Sequence, residues 1–300
     1  MFSILTPTHN RANVIERVYN SLKHQTYKDF EWIIIDDASI DNTEEIVNKW
    51  QAAEKNFNII YHKLPQNLGK APVVNFGIDL CSRPITIIAD DDDTFVSSTL
   101  EDLKLIWNTI DKTENSEQIA AVWTLVQDER GKIIGEKFPA DFWQVNFQQR
   151  VLDRNRPPIG EKWHSWRTNV LKTYKMYNNE NSFVSEGATW NRINKDYDFL
   201  CVNLVHRIYW YSENGLIHKK KSRLSIEKNQ YYTSYFQLKD LSVLTILKYS
   251  FYRGIAFNFV KAFYFYRDKT HSLKWSLFLA SIVAFFVVLP QKVLYRLTNA

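Results

Sequence analysis

An apolar run, Ile85-Thr86-Ile87-Ile88-Ala89, passes without a break into four aspartates, Asp90-Asp91-Asp92-Asp93. No strand interior tolerates four adjacent carboxylates, because desolvation and mutual repulsion both oppose it. The aspartates therefore mark a strand end that faces water or a cation. Two earlier apolar runs end in the same way. Phe2 to Thr6 is stopped by Pro7 and the polar loop Thr8-His9-Asn10-Arg11, and Glu31 to Ile35 is stopped by Asp36-Asp37.

Between these strands lie segments of helical spacing. They are Val14 to Leu22, a stretch after Ser39 or Asp41 that contains Ile46, Val47 and Trp50, then Ala71 to Leu80, and Ser97 to Ile110. Ser39 or Asp41 can cap the second of them, and Pro72 is tolerated in the first turn of the third. Asn58 to Tyr61 reads as one more strand. Such alternation predicts an α/β fold, a mostly parallel sheet with helices on both faces. Ligands of such sheets gather at the carboxyl ends of the strands, so the three polar clusters are expected to converge on one cleft. Beyond Ala120 the pattern changes. Ala121–Gln127 and Lys132–Phe138 read as a hairpin around Glu129-Arg130-Gly131, and Phe199–Tyr211 as a late strand.

Charge divides the chain. Of its 38 Lys and Arg and 33 Asp and Glu, 14 basic and only 3 acidic residues fall between Gly215 and Ala300, leaving the remainder net acidic. This predicts an acidic body over residues 1–215 and a basic, aromatic, helical tail over 216–300 that meets a polyanion. No nucleic-acid recognition motif accompanies the tail, so the expected surface is a membrane and not a nucleic acid. Phe251, Tyr252, Ile255, Phe259, Phe263 and Tyr266 recur at helical spacing, as in a helix lying in an interface. Trp275–Gln291 carries no charge between Lys274 and Lys292, with Trp275 and Tyr295 as flanking aromatics. Its length, about 25 Å as a helix, is marginal for spanning. Monotopic attachment is expected, with a single short span as the alternative. Lys219-Lys220-Lys221 is placed to meet a diphosphate-lipid or anionic headgroups. Cys81 and Cys201 make no disulfide framework, which fits a reducing cytosol, and the N-terminus reads as a strand and not as a leader.

The aspartate run is longer than a helix start needs. A hard divalent cation offsets such a cluster, and Mg²⁺ typically binds one or two carboxylates together with substrate phosphates. Asp36 to Thr43 includes a helix start, yet it leaves carboxylates at the strand tip that can accept from a base N–H or a ribose hydroxyl. Gln66-Asn67-Leu68-Gly69-Lys70-Ala71 is a tight turn opening a helix, with backbone N–H groups and the Lys70 charge available to a diphosphate.

Together these segments resemble family 2 glycosyltransferases of the GT-A fold. The resemblance rests on Ser3 to Arg11, Ile35 to Thr43, Asn67-Leu68-Gly69-Lys70 with Asn75 and Gly77, and Ala89 to Asp93, and it covers about Met1 to Asn214. It implies that Thr6, Pro7, Thr8 and Asn10 line a nucleotide pocket, largely through backbone. Asp37 would recognise the uracil of a UDP-sugar, and Asn67 and Lys70 would lie near the nucleotide. Asp90 and Asp92 would form a D-x-D pattern, with Asp92 binding Mn²⁺ or Mg²⁺ and Asp90 or Asp91 near the ribose or sugar. The run of four leaves that register open by one position. Ser185 to Arg192 looks like the late acidic motif of the family, which makes Glu186 the base that takes the acceptor proton in an inverting transfer.

Trp190 is expected to stack on an acceptor or to pack in a core. His164, His206 and His218 are further candidate metal ligands, weighed against structural roles. The implied partners are a nucleotide-sugar donor and a glycan or polyprenyl-diphosphate-linked acceptor, at the cytoplasmic face of the cell membrane. A sugar-1-phosphate nucleotidyltransferase would need a glycine-rich first loop, and residues 6–11 contain no glycine. A non-catalytic nucleotide-sugar-binding scaffold would lack a metal or base carboxylate, and none is missing.

Overall fold

The computed structural model describes residues 1–179, 182–210 and 222–298, the side chains of 295–298 excepted. His218, Lys219-Lys220-Lys221 and the Tyr295 side chain lie outside the described residues. The chain divides into two units. The first comprises Met1–Asn146, Pro158–Met176 and Ile193–Gly215; the second comprises Phe147–Pro157, Tyr177–Arg192 and Leu216–Ala300.

The first unit begins β1 (Phe2–Thr8), α1 (Glu16–Lys23), β2 (Phe30–Asp36), α2 (Thr43–Ala53), β3 (Asn58–Lys63), α3 (Lys70–Leu80) and β4 (Ile85–Ile88). Every residue of β1 and β2 is buried, which is why both read as unbroken apolar runs and not as alternating ones. β5 (Thr94–Phe95), α4 (Thr99–Ile110), β6 (Ile119–Asp128), β7 (Phe142–Val145), β8 (Lys162–Arg167), α5 (Thr168–Thr173) and β9 (Asp198–Tyr209) follow. The strands form one sheet in the order β3-β2-β1-β4-β8-β6-β9-β5, and β7 also pairs with β9. β1 to β4 are mutually parallel, β8 runs antiparallel to β4 and β6, and β6 is parallel to β9. The chain winds from β1 outward to β3 and then restarts on the other side of β1 with β4. That reversal opens a crevice at the carboxyl ends of β1 and β4.

Trp32, Trp107 and Trp166 are fully buried in this unit. All three indole N–H groups find internal acceptors: Trp32 donates to Thr6 Oγ1 at 2.9 Å, Trp107 to Ser165 Oγ at 2.9 Å and Trp166 to His164 Nδ1 at 2.8 Å. α3 lies so close to the sheet that a Cβ on Gly77 would stand 2.3 Å from Leu5 Cδ1.

Two local expectations are corrected. Residues 132–138 form no strand; a single bridge joins Gln127 to Ile133. Gly135 instead packs backbone to backbone on Gly160, and Glu136 N–H bonds Ile159 O at 3.1 Å. Neither Ser39 nor Asp41 is the N-cap of α2, which is Asn42 without a side-chain cap bond. Ser39 Oγ accepts from Asn10 N–H at 2.8 Å, and Asp41 accepts from Ala12 and Thr43 N–H groups.

The second unit holds α7 (Arg223–Leu238), α8 (Val243–Lys248), α9 (Ser250–Phe265), α10 (Trp275–Thr298) and the first seven residues of α6 (Glu186–Asp196). Ser222 and Ser242 cap α7 and α8 through their hydroxyls. The stripe assigned above to a membrane face packs inward. Tyr252, Ile255 and Phe259 are buried, and Phe251, Phe263 and Tyr266 pack against the same core. The cause is a matching apolar partner: Phe257 stacks on Phe285 at 4.8 Å and Phe263 meets Phe278 at 4.8 Å. Apolar exposure falls on α10 instead, at Trp275, Leu279, Val283, Phe286, Val287 and Leu294, opposite the buried Leu277, Ala280, Ala284 and Val288.

Candidate functional site

Three loops leave the carboxyl ends of β1, β2 and β4, and hydrogen bonds tie the first two together. Asp37 N–H donates to Thr8 O at 2.8 Å, and Ile40 N–H donates to Asn10 Oδ1 at 2.8 Å. Asn10 and Ala38 take positive φ angles of 53° and 59° to make this possible. Asn is tolerant of that region, whereas Ala38 adopts it at a cost of about 1–2 kcal/mol that the surrounding bonds must offset. The loop after β3 is anchored by Asp37, whose carboxylate accepts from Leu68 N–H at 2.6 Å and Gly69 N–H at 2.8 Å. The Asn67 side chain lies 3.5 Å from Asp37 O. Gly69, at φ 82°, then starts α3 and places Lys70 at its first position. Asp36 is closed off by the Tyr61 hydroxyl at 2.5 Å and Ser39 N–H at 2.7 Å.

Asp90 to Asp93 form a turn, closed by Asp93 N–H on Asp90 O and by Asp90 N–H on the Asp93 carboxylate, both at 3.0 Å. Each carboxylate meets a cation. Lys70 Nζ lies 2.5 Å from Asp90, Arg11 bridges Asp91 (3.0 Å) and Asp92, and Arg207 of β9 pairs with Asp93. Burial of the side chains orders the four: Asp92 is 41% and Asp90 38% exposed, Asp91 14% and Asp93 3%. Burial pushes the Asp91 carboxyl up to about 6 against the pull of Arg11. For Asp90 burial acts in the same sense, but Lys70 and Arg207 outweigh it and hold the carboxyl below its usual range.

The arrangement brings Thr8, Asn10, Asp37, Asn67, Lys70 and Asp90 to Asp92 into one bonded set. Thr8 Oγ1 is buried without a hydrogen-bond partner, a donor left for a ligand. Thr6 and Pro7 lie buried in β1, and the Thr6 hydroxyl is taken by Trp32. Glu186 opens α6 and belongs to the second unit. Trp190 is buried, which removes it as a stacking platform for an acceptor.

Two contributors escaped the sequence reading. Arg11 stood inside a quoted motif without a role, and its neighbour Asn10 carried the only local hint. Arg207 is distant in sequence and carries no signal. His164 sits among Trp123 and Trp166, and Trp166 Nε1–H donates to its Nδ1 at 2.8 Å. Burial, with Arg207 adding to it, pushes its pKa down to about 3. The ring is therefore neutral with its proton on Nε2, an N–H donor and not a charged group. His206 is buried in the core near Trp163, and burial pushes it down to about 4.

The carboxylates of Asp90, Asp91 and Asp92 are hard oxygen donors of the kind a divalent cation takes. Among the described residues no three His, Cys, Asp or Glu side chains form a cage for a metal. Such a site suits an ion held jointly with ligand phosphates.

The S. aureus TarS 1–349 crystal structure in complex with UDP-GlcNAc matches at TM-score 0.62 and 18% identity, covering 94% of this chain and 79% of that one. The mannosyltransferase PcManGT from Pyrobaculum calidifontis, in complex with GDP-Man and Mn²⁺, matches at TM-score 0.57 and 16% identity, covering 96% and 86%. These likenesses define a GT-A-type fold. Residues 3–114 match the model of Glycosyl transferase family 2. GalNAc(5)-diNAcBac-PP-undecaprenol beta-1,3-glucosyltransferase of Campylobacter jejuni is 25% identical over 244 residues, 80% of this chain and 73% of that one. Other curated relatives are spanned over 30 to 61% of their length. Residues 3–114 carry the family 2 glycosyltransferase match, and the chain is a glycosyltransferase.

Proposed function

We propose that this enzyme moves a sugar from a UDP-sugar to a glycan or polyprenyl-diphosphate-linked acceptor, with inversion at the anomeric carbon, in cell-surface glycan synthesis. The observation that carries the reading is the aspartate turn at the β1–β4 crevice, with two open carboxylates in a frame of three cations. Around it, the unpartnered Thr8 hydroxyl and the backbone of Thr6 and Pro7 form the wall of a nucleotide pocket. Asp37 keeps a second lone pair on each oxygen for a uracil N–H, while its first pairs hold the Asn67–Gly69 loop. Asn10 shapes the pocket by fixing residues 39–40. Asp90 or Asp91 accepts from a ribose or sugar hydroxyl. Lys70 and Arg11 exchange carboxylate for diphosphate oxygens when the donor enters. Asp92 holds Mn²⁺ or Mg²⁺, which when bound supplies positive charge to the departing diphosphate. Glu186 takes the acceptor hydroxyl proton while that oxygen bonds to the anomeric carbon and the bond to the diphosphate breaks. The names of the C. jejuni relative and of the UDP-GlcNAc and Mn²⁺ complexes support acceptor, donor and metal in turn.

The proposed location is the cytoplasmic face of the membrane, by in-plane attachment. Trp275–Leu294 is long and apolar enough to cross a bilayer, with a mean hydropathy of 2.2 over 20 residues. One face of α10 is buried against the second unit, however, so a span would drag polar helices into hydrocarbon. A half-exposed apolar stripe suits the interface instead.

Release of UDP from a panel of UDP-sugars, with and without Mn²⁺ or Mg²⁺, tests the reading. Turnover of at least one UDP-sugar only with metal is expected. Turnover confined to GDP-sugars overturns the uridine assignment, and undiminished turnover in chelator overturns the metal.

A further inference from the structure

The connection between α9 and α10 lines a cavity of about 570 Å³ in the second unit. Its polar floor is closed on itself. The Asp268 carboxylate accepts from the Tyr232 hydroxyl at 2.6 Å, from Thr270 N–H at 2.8 Å and from the Thr270 hydroxyl at 2.7 Å, and it lies 3.1 Å from His271 Nδ1. The Tyr232 and Tyr266 hydroxyls are bonded to each other at 2.8 Å.

What the cavity leaves unmatched is positive charge. Arg267 and Lys269 both line it and are exposed, and neither meets a carboxylate among the described residues. Lys228 adds a third cation 5.4 Å from the Tyr266 ring centroid. A neutral glycan would need free hydroxyl acceptors and open aromatic faces. Here the two hydroxyls are engaged and Lys228 lies over one ring; beside the exposed Asn178 amide at the rim, the groups left open are the Arg267 and Lys269 cations, which suit a phosphate.

The order along the chain says where such a phosphate sits. Arg267 and Lys269 are followed by Lys274, by the exposed Trp275 and then by the exposed stripe Leu279, Val283, Phe286 and Val287. A cationic turn beside a helix with an exposed apolar stripe sets headgroup-binding charge next to a face that an acyl boundary can take.

We infer that this cavity binds the phosphate of an anionic membrane lipid headgroup between Arg267 and Lys269, with α10 lying in the acyl boundary beside it. The inference rests on the in-plane attachment proposed above. Binding of the full chain to phosphatidylcholine vesicles, with and without phosphatidylglycerol, tests it. The wild type is expected to prefer vesicles containing phosphatidylglycerol. An Arg267→Ala/Lys269→Ala variant is expected to lose that preference by roughly thirtyfold, at about a fivefold loss per cation, while keeping its weaker binding to phosphatidylcholine. Val283→Ser/Phe286→Ser is expected to weaken binding to both. Equal thermal melts of the variants exclude misfolding as the cause. A double variant with the full preference, or a wild type that binds both vesicles alike, overturns the headgroup site and leaves the attachment standing. A chain that binds neither vesicle overturns both. Inorganic pyrophosphate is expected to displace the protein from the phosphatidylglycerol vesicles. Pyrophosphate binding that Arg267→Ala/Lys269→Ala removes but phosphatidylglycerol vesicles do not compete, or displacement by a neutral oligosaccharide instead, overturns the lipid assignment.

Discussion

The two units handle charge in opposite ways. In the first, four adjacent carboxylates at the end of β4 are each matched by a cation drawn from a different part of the chain: Lys70 from α3, Arg11 from the β1 loop and Arg207 from β9. In the second, the one carboxylate of the α9–α10 turn is closed in by hydroxyl and backbone donors, and Arg267 and Lys269 beside it meet no carboxylate among the described residues. Dense, balanced charge in a crevice is the condition for exchanging one set of ion partners for another, as a metal and a diphosphate require. Sparse, unbalanced charge beside exposed apolar surface is the condition for adsorbing to an anionic interface.

The sharpest test of this contrast is the chemistry it proposes to serve. Glu186→Gln is expected to lower transfer by roughly 10²–10⁴-fold while UDP binding, measured by calorimetry, stays intact. An active variant would remove Glu186 as base. Next in size, Arg207→Met strands the buried Asp93 charge and is expected to cost about 3–5 kcal/mol of stability, read as a lowered denaturation midpoint. A midpoint equal to the wild type would mean that the turn balances itself without β9. Gly77→Ala forces a Cβ to within 2.3 Å of Leu5 Cδ1, so either the buried Leu5 side chain repacks or α3, which carries Lys70, shifts. The expected cost is about 1–3 kcal/mol, together with a higher KM for the donor.

The smallest effect belongs to the second unit. The Tyr232 hydroxyl, against the opposing effect of burial, and then Thr270 and His271 hold the Asp268 carboxyl well below its usual range. A depressed folded pKa contributes stability that is complete above the unfolded value of about 4 and is lost as pH falls through the folded value. Asp268→Asn is therefore expected to lower the melting temperature at neutral pH by a few degrees. The gap should close as the pH drops below about 4. A constant gap would show that Asp268 acts by shape and not by charge.

Much of the first unit was legible because its signals are local. Ile85–Ala89 ending in aspartates, Glu31–Ile35 ending in Asp36-Asp37, and Asn67 to Lys70 opening a helix each announce a strand end or a turn within a few residues. Where local signals competed, the reading failed. Residues 132–138 carry strand-like apolar residues, but the positive φ angles of Gly131 (80°) and Gly135 (98°) and the backbone contact with Gly160 exclude a regular ladder. The α9 stripe was visible as amphipathic, yet periodicity cannot say whether a face meets lipid or another helix.

By itself, the sequence determined the class of fold, the strand-end clusters and the balance of charge between body and tail, since these follow from periodicity and composition. Only the tertiary structure decided which cation meets which aspartate. It also decided that Asp90 and Asp92 stay open while Asp93 is buried, and that α10 and not α9 exposes its apolar face. Those outcomes depend on contacts such as Arg207 with Asp93, made by residues more than a hundred positions apart, and chain folding alone sets them.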